Sequence, residues 1–198
     1  AAPVQPCAGW ISPAGVELCR EFGLTTRTPG IVQFRGLSLH AWDCRRKTDV
    51  TDEVLTGWLA ERPALDEALR AAAVASGATL RRDVEVESLV LGESDVRVRG
   101  KGGESIAARV LIIADGTRST VAGMARMRPA AQAAGAPRCA YVTLPGGPAA
   151  LELILENRRR GMLATIVRVK ERTTLSVLSR DAATDVVKET ESLLRTAQ

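Results

Sequence analysis

The chain has 198 residues, 45% of them hydrophobic, 25% charged and 3% aromatic, with a formal net charge of +4. That apolar fraction is enough for a folded core, in one sizeable domain or two small ones. No apolar run approaches the roughly 20 residues of a membrane-spanning helix, and the opening AAPVQPCAGW has neither a charged nor an apolar signal region, so a cytoplasmic chain without a membrane span is expected.

The four cysteines, Cys7, Cys19, Cys44 and Cys139, form no C-x-x-C pair, and His40 is the only histidine. This pattern argues against a zinc site and against any triad chosen from several histidines. Reduced thiols are expected. The basic cluster NRRRG at 157–161 has no interleaved aromatics, so no nucleic-acid partner is expected.

In chain order, 12–24 reads as a helix with Ser12 as N-cap, Pro13 in the first turn, a stripe of Val16, Leu18, Cys19 and Phe22, and Gly23 as its stop. Residues 31–42 read as one or two strands bent at Gly36. His40 lies there without an acid or nucleophile at telling spacing, so it receives no catalytic role. Arg45, Arg46 and Lys47 read as a solvated basic run. Residues 63–77 carry the strongest helical pattern: Pro63 suits the first turn, Asp66 and Glu67 the positive end, Gly77 the stop, with a face of Leu65, Leu69, Ala72 and Ala73.

Four strands are predicted next, at 78–82, 84–91, 94–100 and 104–113, with GES and GKGG as turns. DVRVRG alternates and predicts a half-solvated antiparallel strand, whereas RVLIIA does not alternate and predicts a strand buried on both faces. The segment 128–137 reads as a linker. Strands are expected at 139–144, 151–156, 162–169 and 173–179, and a final helix over 182–197 with Val186, Val187, Leu193 and Leu194 on its apolar side. The fold class is mixed, α+β or α/β, with two sheets and few helices.

The stretch ARVLIIADGTRS raises the functional question. An apolar run that ends in Asp115-Gly116 is either a turn before a helix capped by Ser119 or the end of a strand that holds a ligand. In the second case Gly116 admits close approach to the backbone, Asp115 accepts hydrogen bonds from hydroxyls, and the helix start faces an anion.

The order of elements around it is more specific. Arg62, Leu65, Asp66, Leu69, Ala73, Gly77 and Ala78 match the pattern R-x-x-(L/F)-D-x-x-L-x-x-x-A-x-x-x-G-A, and Ala114, Asp115, Gly116 and Ser119 match G-A-D-G-x-x-S after a three-stranded meander. Cys7 and Gly9 match a C-G-G loop ahead of a helix. Together these residues resemble the FAD-dependent oxidoreductases of the p-hydroxybenzoate hydroxylase and geranylgeranyl reductase-like superfamily, over residues 6 to about 126.

The resemblance implies a partial FAD-binding three-layer domain (mixed sheet, β-meander and helices) over residues 1–126 and the start of a β-rich substrate-binding domain over 127–198. It implies FAD as cofactor, NAD(P)H as co-substrate, and a small apolar or aromatic molecule or an isoprenoid as substrate, with hydroxylation or double-bond reduction as the reaction. Arg62 is then expected near the FAD phosphates or ribose, Val86 at the adenine, Ala114, Asp115, Gly116 and Ser119 along the pyrophosphate and nicotinamide path, and Cys7 and Gly9 at the flavin pocket. No catalytic residue is named, since the cofactor carries the redox step.

Departures from the pattern are Ile113 in place of a glycine, Ala8 in the C-G-G loop, and the absence of both G-x-G-x-x-G and the later G-D-A. A chain truncated at both ends of the flavin domain is therefore expected. The alternative is a non-catalytic remnant or interaction domain that keeps the sheet and binds no flavin.

Overall fold

Residues 7–51, 56–116, 119–127, 138–155, 161–181 and 183–196 are described by the structure, a computed structural model. The first elements are β1 (Trp10–Ile11), α1 (Pro13–Glu21), β2 (Ile31–Arg35), β3 (Leu37–Ala41), β4 (Lys47–Val50), β5 (Thr56–Ala60) and α2 (Arg62–Ala75). Then follow β6 (Val86–Leu91), β7 (Val96–Gly100), β8 (Ser105–Ala108) and α3 (Thr120–Met124). The last are β9 (Arg138–Pro145), β10 (Ala150–Leu155), β11 (Met162–Val169), β12 (Arg172–Ser179) and α4 (Val186–Thr196). The mixed α and β class is observed, with three sheets among the described residues where two were expected.

The chain divides into two units, residues 1–78 with 137–198, and residues 79–136. In the first, β1, β5 and β2 form a small antiparallel sheet, and β4-β3-β10-β11-β12-β9 a six-stranded one. The chain passes from the small sheet to the large one at Gly36, whose φ is +83°. Only the β3–β10 pair of the large sheet is parallel.

Strand alternation decides the layers. Ile31, Trp58 and Ala60 point from the small sheet to α1 and α2, where Val16, Leu24, Leu65, Ala68, Leu69 and Ala72 cover them. The other face of that sheet sends Phe34, Leu59 and Val32 against Leu151, Val167 and Val169 of the large sheet. The far face of the large sheet, with Ile154, Ala164, Leu175 and Val177, is covered by Leu193 and Leu194 of α4. The order of layers is helices, small sheet, large sheet, helix.

Local chemistry sets the helix ends. Ser12 Oγ accepts from the Gly15 N–H at 3.4 Å and starts α1. Beyond its end, the Gly23 and Leu24 N–H groups donate to the carbonyls of Arg20 and Cys19. The expected stripe is corrected in part: Val16 is buried, but Leu18 and Phe22 are exposed, because the covered face is narrow. Helix α2 begins one residue earlier than expected, which places Asp66 a full turn in, where it pairs with Arg62 at i,i+4 instead of meeting the free N–H groups. Its packed face runs through Ala68, whereas Ala73 is exposed. In α4, Val186 and Leu193 are buried and Val187 points outward. The linker at 128–137 and most of the basic cluster at 157–161 lie outside the described residues.

The second unit is an antiparallel meander, β6-β7-β8, with α3 packed against β6. Two expected strands are absent here. Residues 78–82 are neither helix nor strand, and Leu80 is exposed. Residues 109–114 form no strand, with Val110 74% and Ile112 84% exposed. The physical reason is the same for both. A strand exists only through hydrogen bonds to a neighbour, and among the described residues no strand pairs with either segment.

Candidate cleft between the small and large sheets

In the first unit, the loop before β1, the β5–α2 junction and the inward face of the large sheet frame a small cleft of about 30 Å³, open to solvent. Cys7, Ala8, Ala60, Glu61 and Arg62 line one side, and Tyr141, Thr143, Val167, Val169, Arg172 and Thr174 the other. That space has room for about one water molecule.

The first side owes its shape to Gly9. Its φ is +80°, and a Cβ there would lie 2.3 Å from the Ala60 carbonyl oxygen. The two backbones meet because the Ala60 N–H donates to the Gly9 carbonyl at 2.8 Å. Glycine at 9 is thus required by strand packing. The same turn folds Cys7 back, so that its Sγ accepts from the Gly9 N–H at 3.4 Å.

Arg62 opens α2, and its Nε donates to Asp66 Oδ1 at 2.6 Å. Asp66 pushes the guanidinium above its ordinary pKa; burial opposes this, and the Cys7 thiol adds a weaker upward contribution. Cys7 and Arg62 are therefore brought together, 55 positions apart in sequence though they are.

The other side was not foreseen. Tyr141, Thr143, Arg172 and Thr174 come from strands β9 and β12, with Thr143 opposite Thr174 in the ladder. The readable signal was the alternation RTTLSVLS, which puts Arg172, Thr174 and Ser176 on one face. Nothing local connects that face to Cys7 or Arg62.

The remaining expected site residues lie in the second unit. Val86 is half-buried at the start of β6 and pairs with Gly100 beside a register shift. Ala114, Asp115 and Gly116 are exposed. Gly116 has φ +97°, and a Cβ there would meet nothing within 4 Å, so the conformation favours glycine and the space beside it is open. Ser119 Oγ accepts from the Ala122 N–H at 2.8 Å and caps α3, a helix of only five residues.

His40 stands apart from the cleft, on the opposite face of the large sheet. Its Nε2 lies 2.8 Å from Glu152 Oε2, and Glu152 also holds Arg168. Among the described residues no group of three His, Cys, Asp or Glu is placed to hold a metal ion.

No family model matches the chain, and no curated protein matches it by sequence. Solved structures do. A geranylgeranyl bacteriochlorophyll reductase-like protein from Thermoplasma acidophilum superposes with a TM-score of 0.73 at 15% identity, over 98% of this chain and 51% of that one. The fold is that of the FAD-dependent monooxygenase and reductase-like proteins. PqsL of Pseudomonas aeruginosa, a probable FAD-dependent monooxygenase, gives 0.67 at 20% identity over 98% of this chain and 57% of its own. The flavin-dependent brominase Bmp2 gives 0.63 at 14%, over 87% and 46%. The chain spans about half the length of the solved structures it matches. No described helix is long and apolar enough to cross a membrane.

Proposed function

We propose that the chain is part of a flavin-dependent oxidoreductase that binds FAD, takes its electrons from NAD(P)H, and hydroxylates or reduces a small apolar or aromatic molecule or an isoprenoid in the cytoplasm. The observation that carries this reading is the shared fold over 98% of the chain with a probable FAD-dependent monooxygenase and with a geranylgeranyl bacteriochlorophyll reductase-like protein. In this reading residues 1–126 belong to the flavin side and residues 127–198 to the substrate side, with β3 and β4 joining the substrate-side sheet.

The residues present suit the group. In the first unit Arg62 offers a fixed cation, and in the second Gly116 offers an open backbone. In the first unit Arg62 would hold FAD phosphate or ribose oxygens; in the second, Gly116 would admit close approach to its backbone, Asp115 would accept from ribose or ribityl hydroxyls, and Val86 would border the adenine. Cys7 and Gly9 would edge the flavin pocket, with Ala114 and Ser119 beside the pyrophosphate path. Bound flavin would supply the two-electron chemistry; the protein supplies position and exclusion of water.

The test is uptake of FAD by the purified chain and by a version extended at its N-terminus, read as visible absorbance at the flavin bands. Yellow protein in either, weakened by Arg62→Ala, supports the reading. Colourless protein in both overturns it. A second reading, an interaction domain that binds no flavin, is favoured by the exposure of Val110 and Ile112 beside Asp115. It predicts colourless protein in both cases.

A further inference from the structure

We infer that Cys7 and Cys139 form a peroxide-sensitive thiol pair, which oxidation closes into a disulfide between the loop before β1 and strand β9. The inference does not rest on flavin binding, since it needs only the two sulfurs and hydrogen peroxide.

The four cysteines fall into two kinds. Cys19 is half-buried on the helix side of the small sheet, and Cys44 is half-buried on the far face of the large one. Burial is the main reason that both of these thiols are pushed up in pKa. Cys7 and Cys139 are exposed. Cys7 lines the cleft opposite Tyr141. Cys139 lies two residues before Tyr141 in β9, so strand alternation puts both on one face of the large sheet, while Val142 points to the α4 layer. Two distant parts of the chain thus present their sulfurs to the same small cleft. The sulfurs lie near enough to sense each other. Desolvation by surrounding protein atoms pushes the Cys139 thiol up, and the charge of Cys7 pushes it further.

Their surroundings set their roles. Cys7 Sγ accepts from the Gly9 N–H at 3.4 Å and interacts with the Arg62 guanidinium. Reactive cysteines occupy cationic, solvent-accessible places of this kind, with a second cysteine at hand to resolve them. The Cys7 sulfur attacks one oxygen of hydrogen peroxide, the O–O bond breaks, and water leaves with the Cys7 proton; Cys7 becomes a sulfenic acid. The Cys139 sulfur then attacks Cys7 Sγ, the S–O bond breaks, and hydroxide leaves as water with the Cys139 proton. Two thiols lose two electrons and two protons, and one peroxide becomes two waters. A thiol reductant reverses the step, as is usual for disulfides in a reducing compartment.

The experiment is treatment of the purified, reduced chain with hydrogen peroxide, followed by thiol counting after unfolding and by peptide mapping. Cleavage after Glu17 separates Cys7 from Cys19. The expected result is the loss of the Cys7 and Cys139 thiols together, an intrachain link between their two peptides, and recovery of both thiols on reduction. Cys139→Ser should stop Cys7 at the sulfenic acid, trapped by dimedone. Cys7→Ser should leave Cys139 reduced at the same dose.

All thiols still free at a dose that fully oxidises glutathione, a link through Cys19 or Cys44, a link only between two chains, or oxidation of Cys139 in Cys7→Ser would each overturn the inference. Thiol counting needs no flavin, so its outcome is separate from FAD uptake. A Cys7–Cys139 link in a colourless protein upholds the thiol pair and removes the flavin reading; yellow protein whose thiols ignore peroxide does the reverse.

Discussion

His40 and Glu152 meet across the parallel β3–β10 pair, Nε2 to Oε2 at 2.8 Å, with side chains only 14% and 13% exposed. Glu152 also holds Arg168 on the neighbouring strand, so one carboxylate serves two basic groups from opposite halves of the chain. His40 Nε2 has no well-aligned hydrogen-bond acceptor, so the contact is close without being a good hydrogen bond. Removing Glu152 leaves the Arg168 guanidinium, 31% exposed, and the His40 ring without their shared carboxylate. Glu152→Ala is expected to lower stability by about 1.5 kcal/mol, read as a shift of the urea midpoint at unchanged slope. A change below a few tenths would show that the cluster contributes nothing.

On the edge of the same sheet, Ser38 Oγ donates to Asp49 Oδ1 at 2.6 Å. That hydrogen bond, and Lys47 after it, hold the Asp49 carboxyl below the ordinary aspartate value. A depressed carboxyl contributes stability that is fully present above its unfolded pKa and is lost as pH falls through the folded one. Ser38→Ala should therefore raise the Asp49 midpoint toward the ordinary value, measured by NMR titration of the side-chain carbonyl. An unmoved midpoint would assign the shift to Lys47 alone.

Gly9 has no room for a side chain, with the Ala60 oxygen 2.3 Å from where a Cβ would sit. Gly9→Ala combines left-handed strain with a backbone clash and should cost about 3 kcal/mol. Thermal unfolding measures this, and the low-stability variant should also lose the Ala60–Gly9 hydrogen bond, seen as faster exchange of the Ala60 amide.

Ile112 is 84% exposed. Ile112→Lys should change stability by no more than about 0.5 kcal/mol, as at an ordinary surface position. A large loss in urea unfolding would instead restore the expectation of a buried strand over 110–114.

The element types were legible where local pattern and environment agree. RTTLSVLS alternates, and β12 buries Thr173, Leu175, Val177 and Ser179 on one face. The 3.6-residue spacing of Leu65, Leu69 and Ala72 produced a helix that packs these three residues, with Ala68 in place of the expected Ala73. RVLIIA is the counter-example, because an apolar run states that burial would be favourable and does not say what will bury it.

The candidate site divides the same way. Cys7, Gly9 and Arg62 were visible in motifs, since each acts within a few residues of a turn or helix start. Arg172, Thr143 and Tyr141 were not, because their nearness to Arg62 follows from β3 pairing with β10 and from one sheet lying on the other.

By itself the sequence determined the element types of most segments, the N-caps at Ser12 and Ser119 and the alternating face of β12, all of which depend on backbone preference and periodicity over a few residues. Only the tertiary structure decided which strand edges meet, which apolar run stays bare, and which side chains share a cleft. Those outcomes depend on long-range pairing, where hydrogen bonds and buried area are gained only once distant segments have come together.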